Sequence, residues 1–340
     1  MNINNNAMRQ RLFYFVSAVV ILLLMSSSRH VDSGGGAISV QQHENPTNAI
    51  YHWKTVFNPS AEELAFIERH DIGRLYIKMF DVACVKDSIE PYNVVPAPIA
   101  TTRFDASIPE GVEVVPTVYI TLEALRLMEG YECAYAEMIV DRLLAMVSYN
   151  ECGEIREVQF DCDWTESTID IYTALTDHAH SYLHTLDKEL SITIRLHQLD
   201  DDYWPIADRG VLMLYNTGAI KNPSTRNSIL DITDVMPYLR RITYMDDRMP
   251  LDYAYPTFGW GVKFRDGEFH SIVSDPASAT LGEGETLRVE RPTVEEVLTV
   301  KSWVEENLGG VYQSNIIYHL DDEELKNYTD DEITQIFSRN

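Results

Sequence analysis

Apolar residues recur along this chain in two alternating rhythms. Short runs rich in β-branched and aromatic residues follow the period-two logic of strands. Eight such runs are found: Ala49–Val56, Gly73–Val82, Gly111–Ile120, Arg156–Trp164, Leu190–Leu199, Arg209–Gly218, Leu251–Gly261 and Ser314–Asp322. Between them lie stretches with apolar residues at helical spacing. Asn58–Asp71 opens with Ser60 followed three residues later by Glu63, a capping box. Leu122–Asn150 reads as one long or broken helix, Ser167–Lys188 and Thr293–Gly310 as further helices, the latter ending at a glycine stop, and Thr329–Ser338 as a closing helix.

Strands that alternate with helices pair in parallel. Eight such units in roughly 290 residues suit an α/β fold, a single (β/α)8 TIM barrel, which typically takes about 250 residues. An open doubly wound sheet is the rival, but no strand runs into a glycine-rich phosphate loop. Lys263–Pro292 reads as an insertion after strand seven, with Arg265-Asp266-Gly267-Glu268 able to turn a hairpin. The expected organisation is therefore an N-terminal segment at 1–28, a spacer at 29–48 and a barrel domain at 49–340 carrying an insertion at 263–292.

The N-terminal segment has its own signature. Arg9 and Arg11 precede the apolar run Leu12–Met25, and Ser26, Ser27 and Ser28 follow. That is the order of a secretory signal, and the run is short of the ~20 residues a membrane span needs. Export to the periplasm or beyond is expected; an uncleaved anchor is the alternative, and the only membrane contact foreseen. The net charge of −26 repels phosphate backbones, which excludes nucleic acid as an expected partner. Hydrophobic residues at 45% supply enough apolar surface for a large core. The four cysteines, Cys84, Cys133, Cys152 and Cys162, match no zinc spacing, and Cys133 and Cys152 flank a predicted helix too long for a disulfide to bridge.

In a barrel the carboxyl ends of the strands build the site, and alternate residues point inward. On strand four, Val158, Phe160, Cys162 and Trp164 share the face expected against helices, which leaves Gln159, Asp161, Asp163 and Thr165 inward. The same phase places Ser191, Thr193, Arg195 and His197 inward on strand five. Strand six offers Tyr215, strand seven Trp260, and strand eight His319 and Asp321. Strand two offers Asp81 or Lys78, which a regular strand cannot both turn inward. Arg195 needs a carboxylate partner if buried, so Asp161 or Asp163 is its expected mate. Such an ion-pair network either fills a barrel centre or supplies two carboxylates in unlike environments, one able to carry a proton. His197, His319 and the two aspartates are a candidate metal set, opposed by the Arg195 charge, and no metal or cofactor is expected. His178 and His180 sit on a predicted helix and read as surface residues.

The segment Phe160-Asp161-Cys162-Asp163-Trp164 resembles the strand-four signature of family 18 glycoside hydrolases, D-G-x-D-x-D-W-E. Asp161, Asp163 and Trp164 match its last two aspartates and its tryptophan. Val158 and Gln159 stand where its first aspartate and glycine belong, and Thr165 stands where the proton-donating glutamate belongs; Glu166 is one residue late. Met213-Leu214-Tyr215-Asn216 resembles that family's M-x-Y-D, with Asn216 in place of aspartate. Across most of the chain, the runs at strands one, two, four, five, six and seven also resemble a family of exported bacterial proteins of unknown function, whose members are thought to form glycosidase-like barrels.

The resemblance implies a carbohydrate ligand and leaves three functions open. The first is a hydrolase of an extracytoplasmic glycan, with Asp161, Asp163, His197 and Asp321 as catalytic candidates and Arg195, Tyr215, Asn216, Trp260, His319 and Asp81 as substrate-binding ones. The second is a non-catalytic barrel that binds a glycan or a protein, for which Thr165 argues, since hydrolysis needs an acid for the leaving oxygen. The third is a metal-dependent hydrolase.

Overall fold

The computed structural model describes residues 47–87, 92–201, 203–240, 249–308 and 314–339. The expected segment 1–28, the spacer up to residue 46 and the stop at Gly310 lie outside them. Eight strands form the frame: β1 (Asn48–His52), β2 (Ile72–Lys86), β3 (Glu113–Ile120), β4 (Glu157–Asp161), β5 (Glu189–Arg195), β6 (Arg209–Met213), β7 (Leu251–Pro256) and β8 (Asn315–Tyr318). Each pairs in parallel with its sequence neighbour, and β8 pairs with β1 through Ala49↔Ile316 and Ile50↔Ile317. The sheet is thus a closed parallel barrel, the architecture the alternation predicts.

Helices cover the outside: α1 (Ala61–Arg69), α2 (Leu122–Arg126), α3 (Glu132–Tyr149), α4 (Ile169–Thr185), α5 (Ile232–Leu239), α6 (Val294–Leu308), α7 (Asp322–Leu325) and α8 (Asp330–Phe337). The capping box of α1 is formed in full: the Ser60 hydroxyl accepts from the Glu63 backbone N–H, and the Glu63 carboxylate accepts from that of Ser60. The stretch Leu122–Asn150 is broken between α2 and α3, where Gly130 takes a φ of +78° that a side chain would disfavour. Cys84, Cys133, Cys152 and Cys162 are free.

Two pieces ride above the barrel. Val94–Ile99 pairs antiparallel with the distal half of β2, from Asp81↔Ile99 to Lys86↔Val94. Between β7 and α6, the strands Trp260–Arg265, Glu268–Val273 and Glu285–Glu290 form a separate antiparallel sheet. It is fastened by Glu290, whose buried carboxylate accepts from the Ser228 backbone N–H (3.0 Å) and hydroxyl (2.5 Å), from Trp260 Nε1 (2.8 Å) and from Arg288 Nε (2.5 Å). A buried carboxylate with that many donors is stable where a lone one is not.

The core has two parts because each strand has two faces. Val158, Phe160, Cys162 and Trp164 of the fourth unit join the large apolar layer between sheet and helices. The other face of the strands encloses a smaller cluster that includes Ala49, Tyr51, Tyr76, Val115, Met213 and Tyr215. At the amino-terminal end of the barrel this interior is ionic: Arg74 pairs with Glu113 (3.2 Å) and Glu157 (3.7 Å), and Arg209 with Asp252 (3.2 Å). At the opposite end a second ionic group forms the candidate site.

Candidate functional site

β4 and β5 build the centre of this group. Gln159 and Ser191, opposite each other in register, share a hydrogen bond of 3.2 Å, and Tyr51 donates to Gln159 Oε1 at 2.8 Å. One pleat further along, the Thr193 hydroxyl donates to Asp161 Oδ1 at 2.5 Å. Arg195 then reaches both carboxylates: Nη2 lies 3.1 Å from Asp161 Oδ1, and Nε donates to Asp163 Oδ1. The side chain of Asp161 is 4% exposed and that of Asp163 is 43% exposed; the two acids differ in environment because β4 ends at Asp161 and Asp163 lies beyond it.

The electrostatics follow from burial. Loss of water lifts the Asp161 carboxyl above the ordinary aspartate range; Arg195 and the Thr193 hydroxyl oppose that, and the Asp163 charge reinforces it. Burial works against the Arg195 charge, but Asp161 and Asp163 overcome it and hold the guanidinium above its ordinary value. Tyr119, beside the pair, is raised by burial and by the charges of Asp163 and Asp161. Asp81 belongs to the same neighbourhood and raises Asp161 further. It sits there because β2 is irregular: its register against β3 shifts between Lys78 and Phe80. The extra residue re-phases the strand, and Lys78 Nζ and Asp81 Oδ1 meet at 3.0 Å. The either-or expectation for these residues is corrected by that bulge, which no alternation rule can foresee.

Aromatic side chains surround the ions. Tyr215 packs on Tyr318 (ring centroids 5.0 Å apart) and on Phe258 (5.8 Å), Phe258 on Trp260 (5.3 Å), and Trp53 on Tyr51 and Tyr318 (5.8 Å each). Lys78 Nζ stands 5.6 Å from the Trp53 ring. Trp53, Tyr119, Trp260 and Tyr318 are each half-buried, so the mouth presents aromatic surface. Trp53, Tyr119 and Tyr318 are not among the residues the sequence pattern singles out. Trp53 could have been found, since it lies two residues beyond Tyr51 at the end of β1.

Four expected site residues stand apart from the Arg195 cluster, although one of them, His319, packs on Phe258 (ring centroids 6.3 Å apart) and Tyr318 (4.9 Å) at its rim. His197 is exposed, because β5 ends at Arg195 and Leu196–Asp200 turns as a 3-10 helix that breaks the period-two phase. Asn216 is exposed, with a φ of +57°, in the turn after Tyr215. On β8 the inward residues are Ile316 and Tyr318, and the strand ends there, before His319 and Asp321. Ile316 and Ile317 are both apolar, so that strand carries no alternation to set the phase. Asp321 caps α7 by accepting from the Glu323 and Glu324 backbone N–H groups, and pairs with Lys54 at 3.1 Å. Burial alone would raise its carboxyl, but the Lys54 ammonium more than offsets that and holds it low. Burial depresses His319 and His52 in the same cluster to about 4 each. The structure therefore does not converge His197, His319 and the two aspartates on one metal position.

Thr165, in the place of the glycosidase acid, belongs to the turn that opens α4. Its backbone N–H donates to Thr168 Oγ1 (2.9 Å), its hydroxyl lies 3.0 Å from that of Ser167, and its carbonyl accepts from Thr168 and Ile169 (2.8 and 2.9 Å). Glu166 is exposed.

Proteins of known structure share this fold. The chain is similar to the spore cortex-lytic enzyme SleL of Bacillus megaterium QM B1551 (TM-score 0.55, 14% identity, 87% of this chain and 75% of that one). It is similar as well to SleL of Bacillus cereus (TM-score 0.53, 13% identity, 87% and 75%). The GH18 chitinase ChiB from the chitin utilization locus of Flavobacterium johnsoniae gives a TM-score of 0.53 at 13% identity, over 86% of this chain and 94% of that one. At such identities the likeness shows the barrel alone. No protein-family model matches the chain, and no curated protein matches it by sequence.

Proposed function

We propose that this protein is an extracytoplasmic carbohydrate-binding barrel that lacks family-18 hydrolysis. One observation carries the reading: Arg195 binds both Asp161 and Asp163, while Thr165 in the acid's place is engaged in the α4 turn. The mouth thus joins half-buried aromatic rings to hydrogen-bonding groups, and the acid next to Asp163, Asp161, is buried and held by Arg195 and Thr193, away from a leaving oxygen. Rings of this kind stack on the apolar faces of sugars, and the charged groups answer hydroxyls. The neighbours named for chitin and for spore cortex support a polysaccharide as ligand. The extracytoplasmic setting rests on the signal-like residues 1–28.

A second reading, hydrolysis with Asp161 as proton carrier, draws on its raised carboxyl. The burial that raises it also keeps it from substrate, at 3% exposure. The two readings separate on one variant. Asp161→Asn should leave carbohydrate binding within about threefold of the native protein; a hydrolytic activity that this variant abolishes while it stays folded would establish the second reading instead.

A further inference from the structure

Outside the mouth, two histidines and an aspartate converge on one point of the opposite face. His180 and His184 are four residues apart on α4, a spacing that stacks their side chains on one side of the helix. Their rings lie 4.0 Å apart. Both Nε2 atoms approach the same oxygen, Asp208 Oδ1, at 3.1 Å from His180 and 2.8 Å from His184. The three donor atoms all lie within 4.8 Å of one another. Asp208 immediately precedes β6, and its second oxygen accepts from the Leu190 backbone N–H at 2.8 Å. The carboxylate is therefore oriented before any ligand arrives, as outer hydrogen bonds orient metal-binding carboxylates.

We propose that His180, His184 and Asp208 hold one divalent transition-metal ion of the zinc class. Two imidazole nitrogens and one carboxylate oxygen are a donor set that zinc, nickel and copper prefer over magnesium or calcium. Coordination lengths of about 2.0–2.2 Å place neighbouring ligand atoms ~3.3 Å apart, close to the separations already present. The exposed side of the cluster leaves the remaining position to water: His184 is 46% exposed, His180 24% and Asp208 20%. The site lies where α4 ends and β6 begins, at the amino-terminal end of the strands. In a barrel that end serves stability and not catalysis. The ion acts as a clip, joining the last turns of α4 to the edge of β6, and so binds the folded chain and not the unfolded one. The motif is visible in the sequence as a His-x3-His pair, and what the sequence withholds is Asp208, 24 residues further on.

The test uses the purified chain, freed of metal and of any histidine tag, titrated with zinc chloride by calorimetry and with cobalt(II) by absorption. One zinc per chain is expected, with tetrahedral cobalt bands and a rise in thermal midpoint of ~5 °C at hundredfold saturation. The variants His180→Gln/His184→Gln and, separately, Asp208→Asn should lose uptake at least tenfold while keeping the circular dichroism of the metal-free native protein. No stoichiometric uptake, or uptake that survives in whichever of these variants is folded, would overturn the proposal.

Discussion

Arg195 serves two carboxylates at once, and its removal would leave Asp161 charged, buried and unpaired. Breaking a buried pair from one side costs about 3–5 kcal/mol, whereas neutralising both sides costs far less. Arg195→Met should therefore lower the urea unfolding free energy by that amount, and the double variant Arg195→Met/Asp161→Asn should recover at least half of it. A single variant as stable as the native protein would show that the cluster is not held together by charge. The pairing itself was legible in the sequence, because a lone inward arginine demands an acid and only Asp161 and Asp163 stand on the adjoining strand end. The histidines were not legible in the same way. His197 follows Arg195 by two, as alternation asks, but the ladder stops at Arg195 and the phase stops with it.

Elements are legible in the sequence where local chemistry decides them and hidden where tertiary contacts do. The α1 capping box is chemistry of four adjacent residues. Ser60→Ala removes the acceptor for the Glu63 N–H and should destabilise the fold by ~1 kcal/mol in urea unfolding, whereas Ser60→Asp should cost less than half of that. Equal losses in the two variants would argue that the Ser60–Asp322 contact (3.0 Å) matters more than the cap. Strand ends went the other way. Apolar residues run past the last ladder bond in β5, β6 and β7, so the expected strands overshoot their observed ends by several residues. The bulge in β2 and the antiparallel partner Val94–Ile99 depend on contacts made only in the closed sheet. No local pattern announces them.

At the scale of the molecule, the barrel was the most secure inference from the chain, since eight alternating units admit few closed topologies. Its acid stability should be governed in part by His52 and His319. Each has a folded pKa depressed from 6.5 to about 4 by burial. The unfolded chain binds more protons between those values, so their contribution is complete above about 6.5 and is lost as pH falls toward about 4. Each histidine accounts for up to about 3 kcal/mol of that loss. The raised Asp161 carboxyl has the opposite sign and favours the folded state toward acid. Urea midpoints measured from pH 7 to pH 4 should fall, and His52→Gln/His319→Gln should flatten the slope across that window; an unchanged slope would place the acid sensitivity elsewhere.

Carbohydrate binding at the barrel mouth can be tested by a single titration. Intrinsic tryptophan fluorescence should be followed as chitin oligosaccharides, then a panel of other polysaccharide fragments, are added to the native chain and to Trp53→Ala, with reducing ends assayed in the same samples. Saturable binding to at least one fragment is expected, weakened tenfold or more in Trp53→Ala (about 1.4 kcal/mol), with no reducing ends released. Reducing ends that accumulate with time in the native sample and not in Asp161→Asn, or a native protein that binds no fragment, would contradict this expectation.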